Sequence, residues 1–356
     1  MKKRKVKKQF KIIFAFLIVL VACFIIYKVG TGRVSSNSEI ITFEVKSGST
    51  YSSLAESLKE NDLIKSKIFY KIYIKLHSLE PLQAGNYDLS QNMNLKELVS
   101  ELENNTKHSS ITITFKEGIN FRDVVSLISS NMNIKDDEIY NKIKDTSYLD
   151  KLINEYWFLT DDIKQDGIYY SLEGYLFPDT YQFNENSDIE DIFKTMLDNT
   201  EKKLEKYKDT LNNSEYSVHE MMTMASIVEL EASNTDDRAG VAGVFYNRLE
   251  DGWSLGSDVT TYYGLKLALS ERDLTTAELS EYNNYNTRSS KMAGKLPISP
   301  ICMPGMESID AAFNPEKHDY YYFVADKNGK TYFNKTAAKH TATVAKLKSE
   351  GLWYEY

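Results

Sequence analysis

Met224-Ala-Ser-Ile-Val-Glu-Leu-Glu231, followed by Ala232-Ser-Asn-Thr-Asp-Asp-Arg-Ala-Gly-Val-Ala-Gly-Val-Phe-Tyr-Asn-Arg-Leu249, is the stretch whose reading decides the fold. The spacing predicts a helix with a carboxylate at the rim of an apolar face, a turn, and a second helix packed on the first through small residues. With each residue turning about 100°, Met221, Met224, Ala225, Val228 and Ala232 share one face, the spacing of a core-facing helix. Glu229 lies beside that stripe, one turn beyond Ala225 and Ser226, whose small side chains leave room for a ligand. Glu231 flanks the other side, against Ile227 and Val228, and the wheel alone does not choose between the two carboxylates. In the second helix Ala239, Gly240, Ala242 and Gly243 permit close backbone approach, with Asn247 and Arg248 near its end. A carboxyl held between two such helices loses water, which raises its pKa and keeps it protonated near neutral pH, as a general acid requires. The plain alternative is a solvated helix residue without chemistry.

Further along the chain, several blocks carry a resemblance. Ala225-Ser-Ile-Val-Glu-Leu-Glu231 resembles the signature of the endolytic murein transglycosylases, the YceG-like (MltG) family. Leu172-Glu-Gly-Tyr-Leu-Phe-Pro-Asp-Thr-Tyr181 is similar to another of that family's segments. Ser257-Asp258 with Thr260, Tyr285-Asn286-Thr287, Leu296-Pro297 through Pro300-Ile301-Cys302, Pro304-Gly305 and Tyr321 to Asp326 follow in the family's order. The resemblance implies that Glu229 is the catalytic acid. Departures are few: Asp258-Val259-Thr260 stands for Asp-Pro-Thr, Cys302-Met303-Pro304-Gly305 for Cys-Asn-Pro-Gly, and Thr331 for a His.

The 356-residue chain is 42% hydrophobic, enough for two folded units with cores. It opens with seven basic residues in eleven and then runs apolar from Ile12 to Tyr27. That run is short for a membrane span, but Lys11 and Lys28 can snorkel to the interfaces. The basic start is expected in the cytoplasm, as the end of a single-pass anchor in the cytoplasmic membrane, with the remainder outside. Leu20-Val-Ala-Cys23 also fits a lipoprotein processing site, although Phe24-Ile25-Ile26 continues the apolar run; either route leaves the protein on the outer face of that membrane. The formal charge of −8 hides an asymmetry: the first 28 residues hold eight Lys and Arg and no acid, leaving 35 basic against 51 acidic residues, a balance of −16. So acidic a body is a poor nucleic-acid binder. Two cysteines, one of them in the apolar run, provide neither a disulfide framework nor a cysteine zinc site. Five scattered histidines complete no metal motif, and no metal or cofactor is implied.

The expected organisation is residues 1–29 as basic tail and anchor, 30–40 as stalk, 41–108 as a small αβ module and 109–356 as the catalytic domain. In the small module, strand 41–45, a Gly-Ser turn, helices 51–59 and 68–76 and strand 85–89 resemble a LysM module, whose turns hold N-acetylglucosamine-containing glycans; a spacer without sugar affinity fits the same pattern. A helix over 94–102 closes it, and 103–110 reads as a polar linker. In the catalytic domain, strand 111–116 precedes helices over 121–129, 136–152 and 189–207. The segment Leu172 to Tyr181, broken by Gly174 and Pro178, is expected as an ordered loop laying Tyr175, Phe177 and Tyr181 along a groove. Asn247, Asp258, Thr260, Tyr285, Asn286 and Thr287 are the other expected substrate contacts. A helix over 308–313, a hairpin about 326–330 and a helix over 337–347 complete it. Strands and helices mix without a βαβ repeat, so the class is α+β.

The resemblance implies lytic cleavage of the β-1,4 bond between N-acetylmuramic acid and N-acetylglucosamine in nascent peptidoglycan strands, leaving 1,6-anhydro ends and limiting strand length beside the cell-wall synthases. One carboxyl serves as acid and then base, because the nucleophile is the sugar's own C6 hydroxyl. Ordinary glycosidases need two carboxylates. A hydrolytic muramidase using Glu231, Glu173 or Asp258 as the second is the nearest rival, although residues two apart on a helix face apart. A scaffold that binds glycan or synthases and cleaves nothing is the rival of another class.

Overall fold

The computed structural model describes the chain except residues 1–13, 15–16, 23, 47, 84, 104–109, 186, 212–213, 270 and 354–356. The basic start, Cys23, part of the expected membrane span and most of the expected linker lie outside the described residues. Among the described residues no helix is long and apolar enough to cross a membrane. Residues 14, 17–22 and 24–30 are helical, and Phe14, Leu17, Ile18, Phe24 and Ile25 each expose more than half their surface.

The chain divides into two compact units, Met1–Ile111 with Gln182–Asn186, and Thr112–Tyr181 with Ser187–Tyr356. In the smaller unit β1 (Ile40–Val45) pairs antiparallel with β2 (Gly85–Ser90), Phe43 opposite Tyr87. Between them come α1 (Ala55–Glu60) and α2 (Lys67–Leu76), and α3 (Leu95–Glu103) follows. Alternation along the strands sends Phe43, Val45, Tyr87 and Leu89 inward, where they meet Leu54, Leu58, Tyr70 and Leu98 in one core.

The chain enters the larger unit within β3 (Ser110–Thr114) and continues into α4 (Phe121–Asn131), α5 (Asp136–Lys142) and α6 (Thr146–Glu155). The single helix expected over 136–152 is broken because Asp145 accepts from the Ser147 and Tyr148 N–H groups and so caps a new start. The segment expected as a loop ends in β4 (Thr180–Asn184); Thr114 and Thr180 join hydroxyls across the strands at 2.9 Å. Then follow α7 (Ile189–Leu204), α8 (Val218–Glu231), α9 (Arg238–Glu250), the unforeseen α10 (Asp258–Gly264) and α11 (Thr276–Ser280), and α12 (Met306–Phe313). The hairpin β5 (Tyr322–Ala325) and β6 (Thr331–Asn334) and the helix α13 (Ala337–Ser349) close the chain. Small antiparallel sheets among many helices make the fold α+β.

The helix α8 starts at a capping box, in which the Ser217 hydroxyl accepts from the Glu220 N–H and the Glu220 carboxylate from the Ser217 N–H. Every residue from Val218 to Val228 except Glu220 is buried. The expected one-sided stripe is thus replaced by a helix buried on all sides, because α9, α10 and α12 all pack on it. The small residues of α9 also serve neighbours other than α8. A Cβ on Gly240 would sit 2.6 Å from the Phe333 ring, and one on Gly243 would sit 2.3 Å from the Glu316 carbonyl oxygen. Backbone cannot swing aside as a side-chain tip can. Gly243→Ala should therefore destabilise by about 1–3 kcal/mol, more than the roughly 1 kcal/mol of helix propensity it gains; equilibrium denaturant unfolding checks this, and an unchanged midpoint would refute the contact's importance.

Candidate active site

The buried helix α8 runs out of cover at its C-terminal end, and there it places Glu229. The side chain is only 7% exposed, and its carboxylate is held from two directions. Arg238, the first residue of α9, donates from Nη2 to Oε1 at 3.1 Å, and the Gly305 N–H donates to Oε2 at 2.9 Å. A carboxylate at a helix C-terminus faces the unfavourable end of the macrodipole, and these two donors supply what that position lacks. The Arg238 Nε–H is buried without a partner among the described residues.

The loop carrying Gly305 is itself fixed to α8. The Ser226 hydroxyl accepts from the Ile301 N–H at 3.0 Å and donates to the Thr223 carbonyl, while the Cys302 thiol points to the Ser226 carbonyl at 3.3 Å. Met303 bridges to the turn after β3: its carbonyl accepts from the Gly118 N–H, and its N–H donates to the Ile119 carbonyl at 2.7 Å. Gly174, at φ +83°, closes a third side; a Cβ there would lie 2.3 Å from Cβ of Pro300. Three separated blocks, around residues 174, 226 and 302, thus meet in one scaffold whose outlet is Glu229.

The sequence profile of the YceG-like family matches residues 43–346, most of the chain and all of this scaffold. The chain belongs to the YceG-like family. It is 35% identical over 314 residues to the endolytic murein transglycosylase of Bacillus subtilis, covering 87% of this chain and 85% of that one. It is 29% identical over 330 residues to the protein of the same name from Streptococcus pneumoniae, of which it spans 59%. The crystal structure of the yceG-like protein lmo1499 from Listeria monocytogenes superposes with a TM-score of 0.60 at 33% identity, over 86% of this chain and all of that one.

Within this YceG-like fold the remaining expected contacts are mostly structural. Tyr175 is fully buried, its hydroxyl bonded to Nδ1 of His219 at 2.8 Å; the other ring nitrogen reaches the Ile298 carbonyl. Phe177 and Tyr181 are buried too. The loop they occupy packs inward, the Thr200 hydroxyl accepting from the Phe177 N–H and donating to the Tyr175 carbonyl, so that all three rings are buried rather than laid along an open groove among the described residues. Tyr285, Asn286, Thr287 and Thr260 are buried as well: Asn286 accepts from Thr261 and donates to the Glu281 carbonyl, and Thr287 and Thr260 share a hydroxyl bond at 2.8 Å. They tie α10 to the 283–289 turn. Asn247 donates to the His318 and Tyr320 carbonyls. Asp258 stays accessible and is ion-paired with Arg288 at 2.6 Å.

The alternative carboxylates are also engaged. Glu231 accepts from the Ser257 hydroxyl at 2.5 Å, and burial pushes its carboxyl above the ordinary range, that hydrogen bond opposing. Glu173 is buried against the Phe121 N–H and the Tyr263 hydroxyl. Sequence reasoning missed Arg238, Gly305 and Glu117, because only the fold shows what faces Glu229. The carboxyl of Glu117 abuts Gly305, where an added Cβ would meet its Cδ at 2.2 Å. Partial burial raises the Glu117 carboxyl, as do the negative charges of Glu229 and Glu307, with Arg238 opposing. Among the described residues no group of His, Cys, Asp and Glu is arranged to hold a metal ion.

A cleft of about 420 Å³ is lined by Gly118, Arg122, Leu230, Tyr262, Lys266 and Ile301, among others, Leu230 being the residue after Glu229. A Cβ on Gly118 would stand 3.8 Å from Cγ of Glu229, so this lining residue is also next to Glu229.

Burial raises the Glu173 carboxyl from 4.5 to about 8, against its hydrogen bonds. An acid that binds its proton more tightly folded than unfolded contributes stability that is complete below about pH 4.5 and is lost as pH rises toward about 8, by about 1.4 kcal/mol per unit. Glu173→Gln, which mimics the neutral acid, should flatten that part of the decline; urea unfolding across the window checks it, and an equally steep decline in the variant would contradict it.

Proposed function

We propose that this protein is a lytic transglycosylase of peptidoglycan, cutting the β-1,4 bond between N-acetylmuramic acid and N-acetylglucosamine within glycan strands. The observation that carries the reading is the Glu229 carboxyl, held by Arg238 and the Gly305 N–H at the end of α8, next to Leu230 and Gly118 that line a cleft, in a fold whose relatives bear the name endolytic murein transglycosylase. Protonated, Glu229 gives its proton to the leaving glycosidic oxygen as positive charge builds on the muramic ring. The resulting carboxylate then takes the proton of that ring's C6 hydroxyl, which attacks the anomeric carbon and closes a 1,6-anhydro ring. Arg238 and the Gly305 N–H support the charged half of this cycle, when Glu229 is a carboxylate. Acid-base assistance of this kind is worth roughly 10² to 10⁴ in rate.

The setting belongs to the same proposal. The basic start and apolar run 12–27 would anchor the chain in the cytoplasmic membrane with its body outside, so that the site reaches nascent strands near the synthases and ends their growth. The strand–helix–helix–strand order of the smaller unit suits a LysM-like hold on glycan.

One observation favours a second reading. Glu117 stands near Glu229 across Gly305, and a second carboxylate is what a hydrolytic muramidase would use to direct water.

Mass spectrometry of uncrosslinked strands digested by the full-length protein separates the two. Anhydro ends, one water lighter than reducing ends, support the transglycosylase; reducing ends support the hydrolase. Glu229→Gln keeps size but cannot cycle a proton and should cost at least a hundredfold in rate. Gly305→Ala should lower kcat about tenfold or more, because a Cβ would displace Glu117 and shift the N–H that holds Glu229. Wild-type rates in either variant would remove Glu229, or its loop, from the chemistry.

A further inference from the structure

The helix α2 of the smaller unit carries apolar side chains on two opposite sides, and only one side has a core to meet. Tyr70 is fully buried, and Tyr73 and Ile74 pack partly against the same core. On the other side Ile68, Ile72 and Leu76, at the i, i+4, i+8 spacing of one helical face, are 70%, 39% and 70% exposed. Single exposed aliphatic residues are ordinary, but three in a row along one face mark a surface that something covers. The charges of α2 are all of one sign: its ten residues include Lys67, Lys71 and Lys75 and no acid, in a body with a strong acidic excess. With each residue turning about 100°, Lys71 and Lys75 border the exposed stripe, whereas Lys67 turns away and pairs with Glu56 at 2.8 Å. The chain leaves its apolar run beside this helix. The Tyr27 and Phe69 rings meet edge to face with centroids 6.3 Å apart, and the Phe69 ring lies so close over Gly30 that no Cβ would fit there. Lys65 donates from Nζ to the Val29 carbonyl at 3.4 Å. Just beyond Gly30 the backbone is tied to the smaller unit: the Val34 and Ser35 N–H groups donate to the Gln91 carbonyl, and the Leu95 N–H to the Thr31 carbonyl at 2.9 Å. The stripe therefore begins at the residue next to Phe69, where the apolar run ends, and extends about 12 Å along α2.

We propose that α2 lies in the surface of the membrane that the apolar run enters, with Ile68, Ile72 and Leu76 at the boundary between headgroups and acyl chains and Lys71 and Lys75 among anionic headgroups. The proposal rests on the anchoring reading above. A helix of about 15 Å is too short to cross a bilayer. One that is apolar along one side, with lysines at the edge of that side, suits the plane of the interface. The lysine stems lie along the apolar stripe while their ammonium groups reach the lipid phosphates. The anchor and α2 then hold the smaller unit at two places, so that it rests on the bilayer instead of swinging from a single tether.

The test uses the full-length protein reconstituted in vesicles that contain anionic lipid, with Cys23→Ser and a nitroxide on one new cysteine, Ile72→Cys in one preparation and Val19→Cys in another. Cys302 is buried and leaves no second exposed thiol. Relaxation by oxygen, which concentrates among acyl chains, is compared with relaxation by a water-soluble nickel chelate. Oxygen should dominate at position 72, as at position 19 within the anchor. Adding Ile68→Asn and Leu76→Asn should make the chelate dominate at position 72. Adding Lys71→Gln and Lys75→Gln should lower the ratio of immersed to free label there about tenfold. These side chains are exposed, so an unchanged thermal midpoint is expected; if a variant does not fold, the label at position 72 in the otherwise unaltered chain decides. Chelate dominance at position 72 with oxygen dominance at position 19 would overturn the proposal and leave the anchor standing. Weak relaxation by both reagents at position 72 would mean that protein covers the face, and would overturn it too. Chelate dominance at both positions would remove the anchor, and the proposal with it.

Discussion

The structure of the larger unit turns on one constraint: a carboxylate at the end of a fully buried helix has to be held by donors brought from elsewhere in the chain. Glu229 is held by Arg238 from the start of the next helix and by the Gly305 N–H from a loop some 75 residues further on. The first contact requires a tight turn between α8 and α9. The second requires the 300–305 loop to lie along α8, and the bonds from Ile301 and Cys302 to Ser226 and the two-way bridge between Met303 and the 118–119 turn put it there. Gly174 lets the loop approach where any side chain would collide with Pro300. The site is therefore pinned at separate points along the chain, which is how a single carboxyl can be kept in one geometry.

Much of the order of strands and helices was legible in the sequence. Alternation in Ile41–Val45, turn residues at Lys46–Thr50 and helical spacing in Ile68–Leu76 led to the strand–helix–helix–strand order of the small unit, and the Met224–Leu249 stretch to two consecutive helices. Periodicity failed where it had to fail. A helix buried on every side has no polar face to mark its orientation, so the wheel assigned α8 one stripe where the structure has a full circumference. The break at Asp145 was lost inside an apolar pattern that two helices share, and α10 and α11 are too short to show a period.

The site was legible in part. The helical pattern offered two carboxylates, Glu229 and Glu231, and only the family resemblance singled out Glu229. Its partners did not emerge, because which N–H and which guanidinium reach a carboxylate depends on how distant segments pack. The polar residues around positions 258–287 illustrate the opposite error. Threonines and an asparagine in a turn suggest contacts to sugar hydroxyls, yet here they satisfy one another's buried donors and acceptors and shape the wall from which Tyr262 and Lys266 face the cleft. Tyrosine is abundant for a related reason: its hydroxyl lets a large ring be buried next to backbone, as Tyr175 and Tyr285 are.

The account's central claim is that one carboxyl suffices because the nucleophile belongs to the substrate. Glu117 is the residue that puts the claim at risk, since a second carboxylate beside Glu229 could direct water instead. The most direct measurement is cleavage of uncrosslinked strands in water enriched in heavy oxygen, followed by mass analysis of the new ends. The account predicts muramic ends carrying no label, because no water enters the bond being made. Heavy oxygen at the new anomeric carbon would contradict it and assign the chemistry to hydrolysis.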